Sequence, residues 1–124
     1  CPQSIELLIT NDQFIDQAVV LGDNRKFVSA LIVPSFDKFR AVWNADGVQE
    51  LSNEELAAHP RVISFMQQRL DRCQKDLPSY ERIVKFKLLS EPFTIHNEGL
   101  TNTLKVRRKL IAERYMELVE EMYR

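Results

Sequence analysis

The segment Phe27 to Val33 is apolar at every position except Ser29. Side chains on a strand alternate between its two faces, so a strand apolar on both must be covered on both. This single run demands a sheet with other structure packed above and below it. Residues 14–21 (Phe14 to Leu21) read as a second strand, rich in Val, Ile and Phe. Between the two lies Gly22-Asp23-Asn24-Arg25-Lys26, a turn composition with residue types that tolerate positive φ. The pair is expected to form a β-hairpin, closed after its second strand by Pro34.

Helical patterns supply the cover. Pro2 suits a first helical turn, and Ile5, Leu8 and Ile9 follow at i, i+3 and i+4 until Asn11-Asp12 ends the run. Ser35 or Asp37 can cap a short helix bearing Phe36, Phe39, Val42 and Trp43, and Ser52-Asn53-Glu54-Glu55 is a helix start. Pro60 opens a longer helix whose stripe is Val62, Phe65, Met66, Leu70, Cys73 and Leu77. Leu77-Pro78-Ser79-Tyr80 breaks it. In residues 82–89, Val84, Phe86 and Leu88 alternate with Lys85 and Lys87, which predicts a half-exposed edge strand guarded by its lysines. Residues 90–104 lack periodicity and read as a loop long enough to carry function. The last segment is helical, with Val106, Leu110, Ile111, Tyr115, Leu118, Val119 and Met122 on one face and Glu113, Glu117, Glu120 and Glu121 on the other.

The expected fold class is therefore α+β: a small, mostly antiparallel sheet that includes a β-hairpin, with helices packed on it and a C-terminal helix. The third strand's place and direction do not follow from the pattern. A length of 124 residues is one domain, with no internal repeat or boundary. Such a chain buries about two-thirds of its unfolded surface, enough for one core. It begins Cys1-Pro2 and not with methionine, so it is expected to continue an upstream part. No basic, apolar leader precedes the first helix, and no apolar run approaches the ~20 residues that cross a bilayer. Cys1 and Cys73 cannot form a disulfide framework, which points to a reducing, cytoplasmic setting.

Most routes to chemistry are closed by residue type and spacing. His59 and His96 belong to no spaced cluster of metal ligands, so no metal site is expected in the chain. Cys73 lies on a core-facing stripe, where a thiol is usually inert packing. No glycine-rich phosphate cradle is present. What remains is the run Thr101-Asn102-Thr103-Leu104-Lys105-Val106-Arg107-Arg108-Lys109, with four cations in its last five residues. A charge run is ordinarily a solvated helix end. Here it stands where a loop enters a helix, and cations at that end oppose the helix macrodipole. A lysine just before a rigid helix can be delivered to a phosphate as a mobile point charge.

These residues carry a resemblance. Phe93-Thr94-Ile95-His96-Asn97 followed by Leu100 to Lys109 resembles the C-terminal end of AMP-forming long-chain fatty acyl-CoA synthetases, in the adenylate-forming superfamily with luciferases and peptide-synthetase adenylation domains. Pro2-Gln3-Ser4-Ile5-Glu6 resembles the segment after that family's interdomain hinge. Gln17 to Asp23 and Ala30 to Pro34 resemble its next two strands, so the likeness covers essentially the whole chain. Residues 1–124 would then be the small C-terminal lid domain of such a ligase, with the large N-terminal domain absent. The resemblance implies ATP and coenzyme A as substrates beside a fatty acid, and Mg2+ bound by the missing domain. It also implies the chain's own N-terminal adenylation domain as partner.

The resemblance assigns Lys105 as the catalytic lysine of adenylation. Arg25, Lys26, Arg107 and Arg108, with Lys109 beside them, are candidates for phosphate or coenzyme A contacts or for docking the closed domain. Three positions depart from the superfamily pattern. Leu104 replaces a frequent glycine, as long-chain members commonly tolerate; Asn102 replaces their usual proline; and His96 stands where an acidic residue is frequent. The expected parent protein is cytoplasmic, with peripheral contact at the inner face of a membrane as a variant of that setting. Two alternatives stay open: a ligase for another carboxylic acid or an acyl-carrier-protein acceptor, and a non-catalytic basic binding module. Against nucleic acid as a partner stand the net charge of −1 and the lack of aromatic residues within the basic run.

Overall fold

The computed structural model of the chain describes residues 2–22, 25–43, 47–94 and 108–124. Among the described residues three strands form one sheet: β1 (Ile15–Leu21), β2 (Val28–Pro34) and β3 (Ile83–Leu88), in the order β1-β2-β3. β1 and β2 are the expected antiparallel hairpin, with Val20 opposite Ala30. β3 joins the other side of β2 in parallel, so the sheet is mixed and β3 is an edge, as its lysines suggest. Every residue of β2 from Ser29 to Pro34 is buried, which meets the demand for cover on both faces.

Among the described residues there are six helices. α1 (Pro2–Thr10) packs on β1 and against α4 (Pro60–Cys73). α2 (Phe36–Val42) and α3 (Asn53–Ala58) lie between β2 and α4 in the chain. α5 (Arg108–Arg114) packs on β1, and α6 (Met116–Met122) packs on β3. The starts of α3 and α4 are written locally. Ser52 and Glu55 exchange side-chain and backbone hydrogen bonds at 3.1 Å each, a complete capping box. His59 caps α4, its Nδ1 accepting from the Arg61 N–H, with Pro60 at the first helical position. Phe14, Phe39, Phe65 and Trp43 meet with ring centroids 4.9 to 5.6 Å apart, mostly edge to face, and lock the hairpin's start to α2 and α4.

The structure corrects the sequence pattern at four places. Val84 belongs by alternation to the buried side of β3 but is 54% exposed. Val28 pairs with Ile83 and Ser29 with Lys85, so Val84 is the extra residue of a bulge and is turned out. Val42 and Leu110, each on an expected apolar stripe, are exposed. The C-terminal helix is interrupted at Tyr115, whose φ of −107° and ψ of 28° leave the helical region.

Candidate functional site

The basic run enters the described structure at Arg108, the first residue of α5; Lys105 and Arg107, like His96 and the rest of 95–107, lie outside the described residues. Arg108 is not a free cation. Its Nη2 donates to Glu6 Oε1 at 2.7 Å, and its Nε donates to the Val20 carbonyl at 3.1 Å and to Glu6 Oε2 at 3.3 Å. Glu6 Oε2 also accepts the Val20 N–H at 2.7 Å. Val20 lies on the outer edge of β1, where among the described residues no strand pairs with its N–H and C=O. A carboxylate from α1 and a guanidinium from α5 satisfy them instead, so one ion pair joins three elements. Planar, forked donors suit this use of arginine.

Glu6 is 8% exposed, a burial that a helical carboxylate tolerates only when paired. Sequence reasoning missed it as a partner. The available signal was its position on the helix, within one turn of Ile5 and Ile9 and so flanking the apolar stripe.

The second unforeseen contact lies three residues back on β1. The Gln17 side chain bonds the backbone of Phe93 in both directions: the Phe93 N–H donates to Oε1 at 2.6 Å, and Nε2 donates to the Phe93 carbonyl at 3.0 Å. Phe93 itself is 3% exposed. Phe93 and Arg108, which flank the segment that carries Lys105, are therefore both bonded to β1.

Arg25, from the hairpin turn, pairs with Glu120 of α6 and lies over the Tyr123 ring at 4.8 Å. Its hydrogen bond is the chief reason that the Glu120 carboxyl sits below the usual carboxylate range. The Tyr123 hydroxyl donates to the Phe27 carbonyl and meets Ser29 Oγ, each at 2.8 Å, and its ring stacks on Phe27. The C-terminal residues thus hold the turn in place. Lys26 and Lys109 are exposed, and no carboxylate among the described residues forms a salt bridge with either.

Arg25, Arg108 and Lys109 border one cavity of about 380 Å³, whose floor includes Val20, Ala112 and Val119. Lys26 stands outside it. Arg25 and Arg108 are each held by a carboxylate, so of these three cations Lys109 alone forms no salt bridge among the described residues. Among the described residues no three His, Cys, Asp or Glu side chains are grouped to hold a metal ion. Cys73 lies beside the Asp12–Arg69 ion pair of 2.7 Å, and burial pushes its thiol up. It offers no activated nucleophile.

Known proteins resemble this chain. The long-chain-fatty-acid–CoA ligase FadD15 of Mycobacterium tuberculosis is 31% identical over 98% of this chain and 20% of its own length. The Arabidopsis thaliana protein long-chain-fatty-acid–(acyl-carrier-protein) ligase AEE15, chloroplastic, is 28% identical over 98% of the chain and 15% of its own length. The chain thus spans a fifth or less of these curated relatives. Among solved structures, the A-PCP didomain of a carboxylic acid reductase from Segniliparus rugosus, in complex with AMP, superposes with a TM-score of 0.74. It covers 99% of this chain and 16% of its own at 23% identity, a likeness of fold. The family model described as the AMP-binding enzyme C-terminal domain matches residues 1–124, and the chain belongs to that family.

Proposed function

We propose that residues 1–124 form the C-terminal lid domain of an AMP-forming long-chain fatty acid–CoA ligase and that Lys105 serves its adenylation step. The observation that carries this reading is the motif Leu104-Lys105 before the start of α5, in a chain matched over its whole length by the family model. The relative from Mycobacterium tuberculosis supports the acid and the acceptor.

In the first half-reaction the fatty acid carboxylate attacks the α-phosphate of ATP. The bond to the β-phosphate breaks, pyrophosphate leaves, and an acyl-adenylate forms. Negative charge concentrates at the α-phosphate as the bond is made, and a preorganised ammonium there stabilises the transition state more than the ground state. In the second half-reaction the thiol of coenzyme A attacks the acyl carbonyl, loses its proton and displaces AMP. A lid that serves both steps must leave the first geometry, and a lysine is a point charge able to enter and withdraw. The partner in this reading is the N-terminal adenylation domain of the same protein, to which we also assign the Mg2+ that accompanies ATP. The setting we assign is cytoplasmic, in line with the free Cys73.

The test is Lys105→Ala in the full-length ligase. Adenylate formation should fall by about a hundredfold to a thousandfold, the scale of losing one preorganised charge donor. Thioester formation from supplied acyl-adenylate should persist. Equal loss of both would overturn the assignment.

A second acceptor is favoured by one observation: the Arabidopsis relative, named for an acyl carrier protein, aligns with this chain over the same 98%. We keep an acyl carrier protein as the alternative acceptor on that ground. The basic binding module loses ground, because Arg25 and Arg108 are both held by carboxylates.

A further inference from the structure

From Arg72 to Lys87 the chain holds five lysines and arginines against two acids, Asp76 and Glu81, although its net charge is −1. The fold gathers most of them at the end of the sheet where β3 begins. A short 3-10 turn, Ser79–Glu81, leads from α4 into that strand, and Ile83 pairs with Val28 just after the hairpin turn. Arg82 braces the approach: its Nε donates to the Leu77 carbonyl and its Nη2 to the Lys75 carbonyl, each at 2.8 Å. These acceptors are neutral, so they leave the guanidinium charge uncompensated. Lys85 lies with its Nζ over the Phe27 ring at 5.7 Å, next to the exposed Lys26 of the hairpin. Lys75, Arg82 and Lys85 are exposed, and no carboxylate among the described residues forms a salt bridge with any of them.

Two large apolar side chains stand out among these cations. Tyr80 is 78% exposed, on a turn held by the Glu81 N–H bonding the Pro78 carbonyl and the Arg82 N–H bonding the Ser79 carbonyl. Val84 is 54% exposed, aimed outward by the bulge in a strand that is otherwise paired. Both are presented by hydrogen-bonded backbone.

We infer that this end of the sheet is a contact surface for an anionic lipid bilayer. A bilayer interface takes up an apolar ring with a polar tip, and tyrosine is enriched there. It takes up lysine and arginine along their apolar stems while their charged heads meet lipid phosphates. It asks for no complementary pocket, whereas a tyrosine anchor on a protein partner is walled in by packed side chains. Among the described residues no helix is long and apolar enough to cross a membrane, so the contact of this surface is peripheral. The surface is read from its own residues. The choice of lipid over another anionic partner also rests on the long-chain substrate proposed above, whose apolar chain favours a bilayer over water.

The experiment is sedimentation of the full-length ligase with two kinds of vesicle: phosphatidylcholine alone, and phosphatidylcholine with about a third phosphatidylglycerol. Wild type should bind the anionic vesicles at least about tenfold tighter than the neutral ones, with the preference shrinking at high salt. Lys75→Gln with Lys85→Gln should weaken anionic binding about twentyfold, or about fivefold for each charge removed. Tyr80→Ser with Val84→Ser should weaken it at least about fivefold through lost apolar area. All four positions are exposed, so adenylate formation from acid supplied in detergent should stay within about twofold of wild type. The lysine pair carries the test if the second pair disturbs the fold.

Wild type that binds both vesicles alike, or variants that bind as wild type does, would overturn the inference and leave the proposed function standing. Salt-sensitive binding to an acidic protein, weakened in the lysine variant and without vesicle binding, would overturn it in favour of a protein partner. If the ligase activates short acids and no long-chain ones, the proposed function falls, while anionic vesicle binding that the variants lose would still establish the surface.

Discussion

Gln74, the C-cap of α4, is 3% exposed, and its amide meets Ile83 at the start of β3. The Ile83 N–H donates to Oε1 at 2.8 Å, and Nε2 donates to the Ile83 carbonyl at 3.2 Å. Replacing Gln74 with Met keeps the length and most of the volume and removes both bonds. Two buried backbone groups are then left without partners, at about 1–3 kcal/mol each. The gain from no longer burying the amide offsets part of this, so the net loss should be about 3 kcal/mol. A chain of 124 residues has a total stability on the order of 6–19 kcal/mol, so the change is easily read. The assay is urea unfolding followed by circular dichroism, with the midpoint shift converted at constant slope. Gln67→Met on the same helix is the control. That side chain donates to Asp71 one turn away at an exposed site, and its loss should cost no more than about 0.5 kcal/mol. A loss below about 1 kcal/mol for Gln74→Met would refute the reasoning. It would mean that water or a relaxed backbone satisfies Ile83 without the glutamine.

Two further outcomes concern titration. Burial raises the Cys73 thiol, with the Asp12 carboxylate adding to the effect, so at mildly alkaline pH iodoacetamide should label Cys73 several-fold more slowly in the folded chain than in urea. Peptide mass spectrometry separates it from Cys1, and equal rates would contradict the burial argument. The Arg25 hydrogen bond lowers the Glu120 carboxyl, so this contact contributes above the ordinary carboxylate pKa and is lost as pH falls through the lowered value. Arg25→Ala should therefore move the Glu120 titration midpoint upward, as followed by carboxyl carbon NMR, and an unmoved midpoint would count against the pairing.

Local patterns announced the hairpin, the edge character of β3, the capping box at Ser52 and the Pro60 helix start, because each depends on neighbours a few residues apart. The departures share the opposite cause. Val84 faces outward because the β2–β3 register slips by one residue, and alternation within β3 contains no trace of its partner's register. Gln17 and Gln74 look like ordinary polar positions, yet each is matched to a backbone group far along the chain or across a turn. Arg108 was visible as a cation, but its engagement with Glu6 joins residues 102 positions apart. Charge in a sequence shows what a side chain can pair with, and only the fold shows what it does pair with.

The open edge of β1 gives these contacts a common logic. An edge strand exposes backbone donors and acceptors that invite pairing with another chain. A fourth strand would close the edge but would draw the following segment into the sheet. Side chains from α1 and α5 close it here at Val20. The length of the connection between Phe93 and Arg108 matters little: doubling it adds only about 0.6 kcal/mol of closure cost. Its end points matter more, because each net hydrogen bond holding them contributes about 0.5–1.5 kcal/mol and fixes a direction as well. Evolution could therefore lengthen or shorten the lysine-bearing segment at small thermodynamic cost, whereas loss of Gln17 or Glu6 would free an end of it. Selection on this connection should fall on Gln17, Glu6 and Arg108, which hold its flanking residues, before it falls on its length.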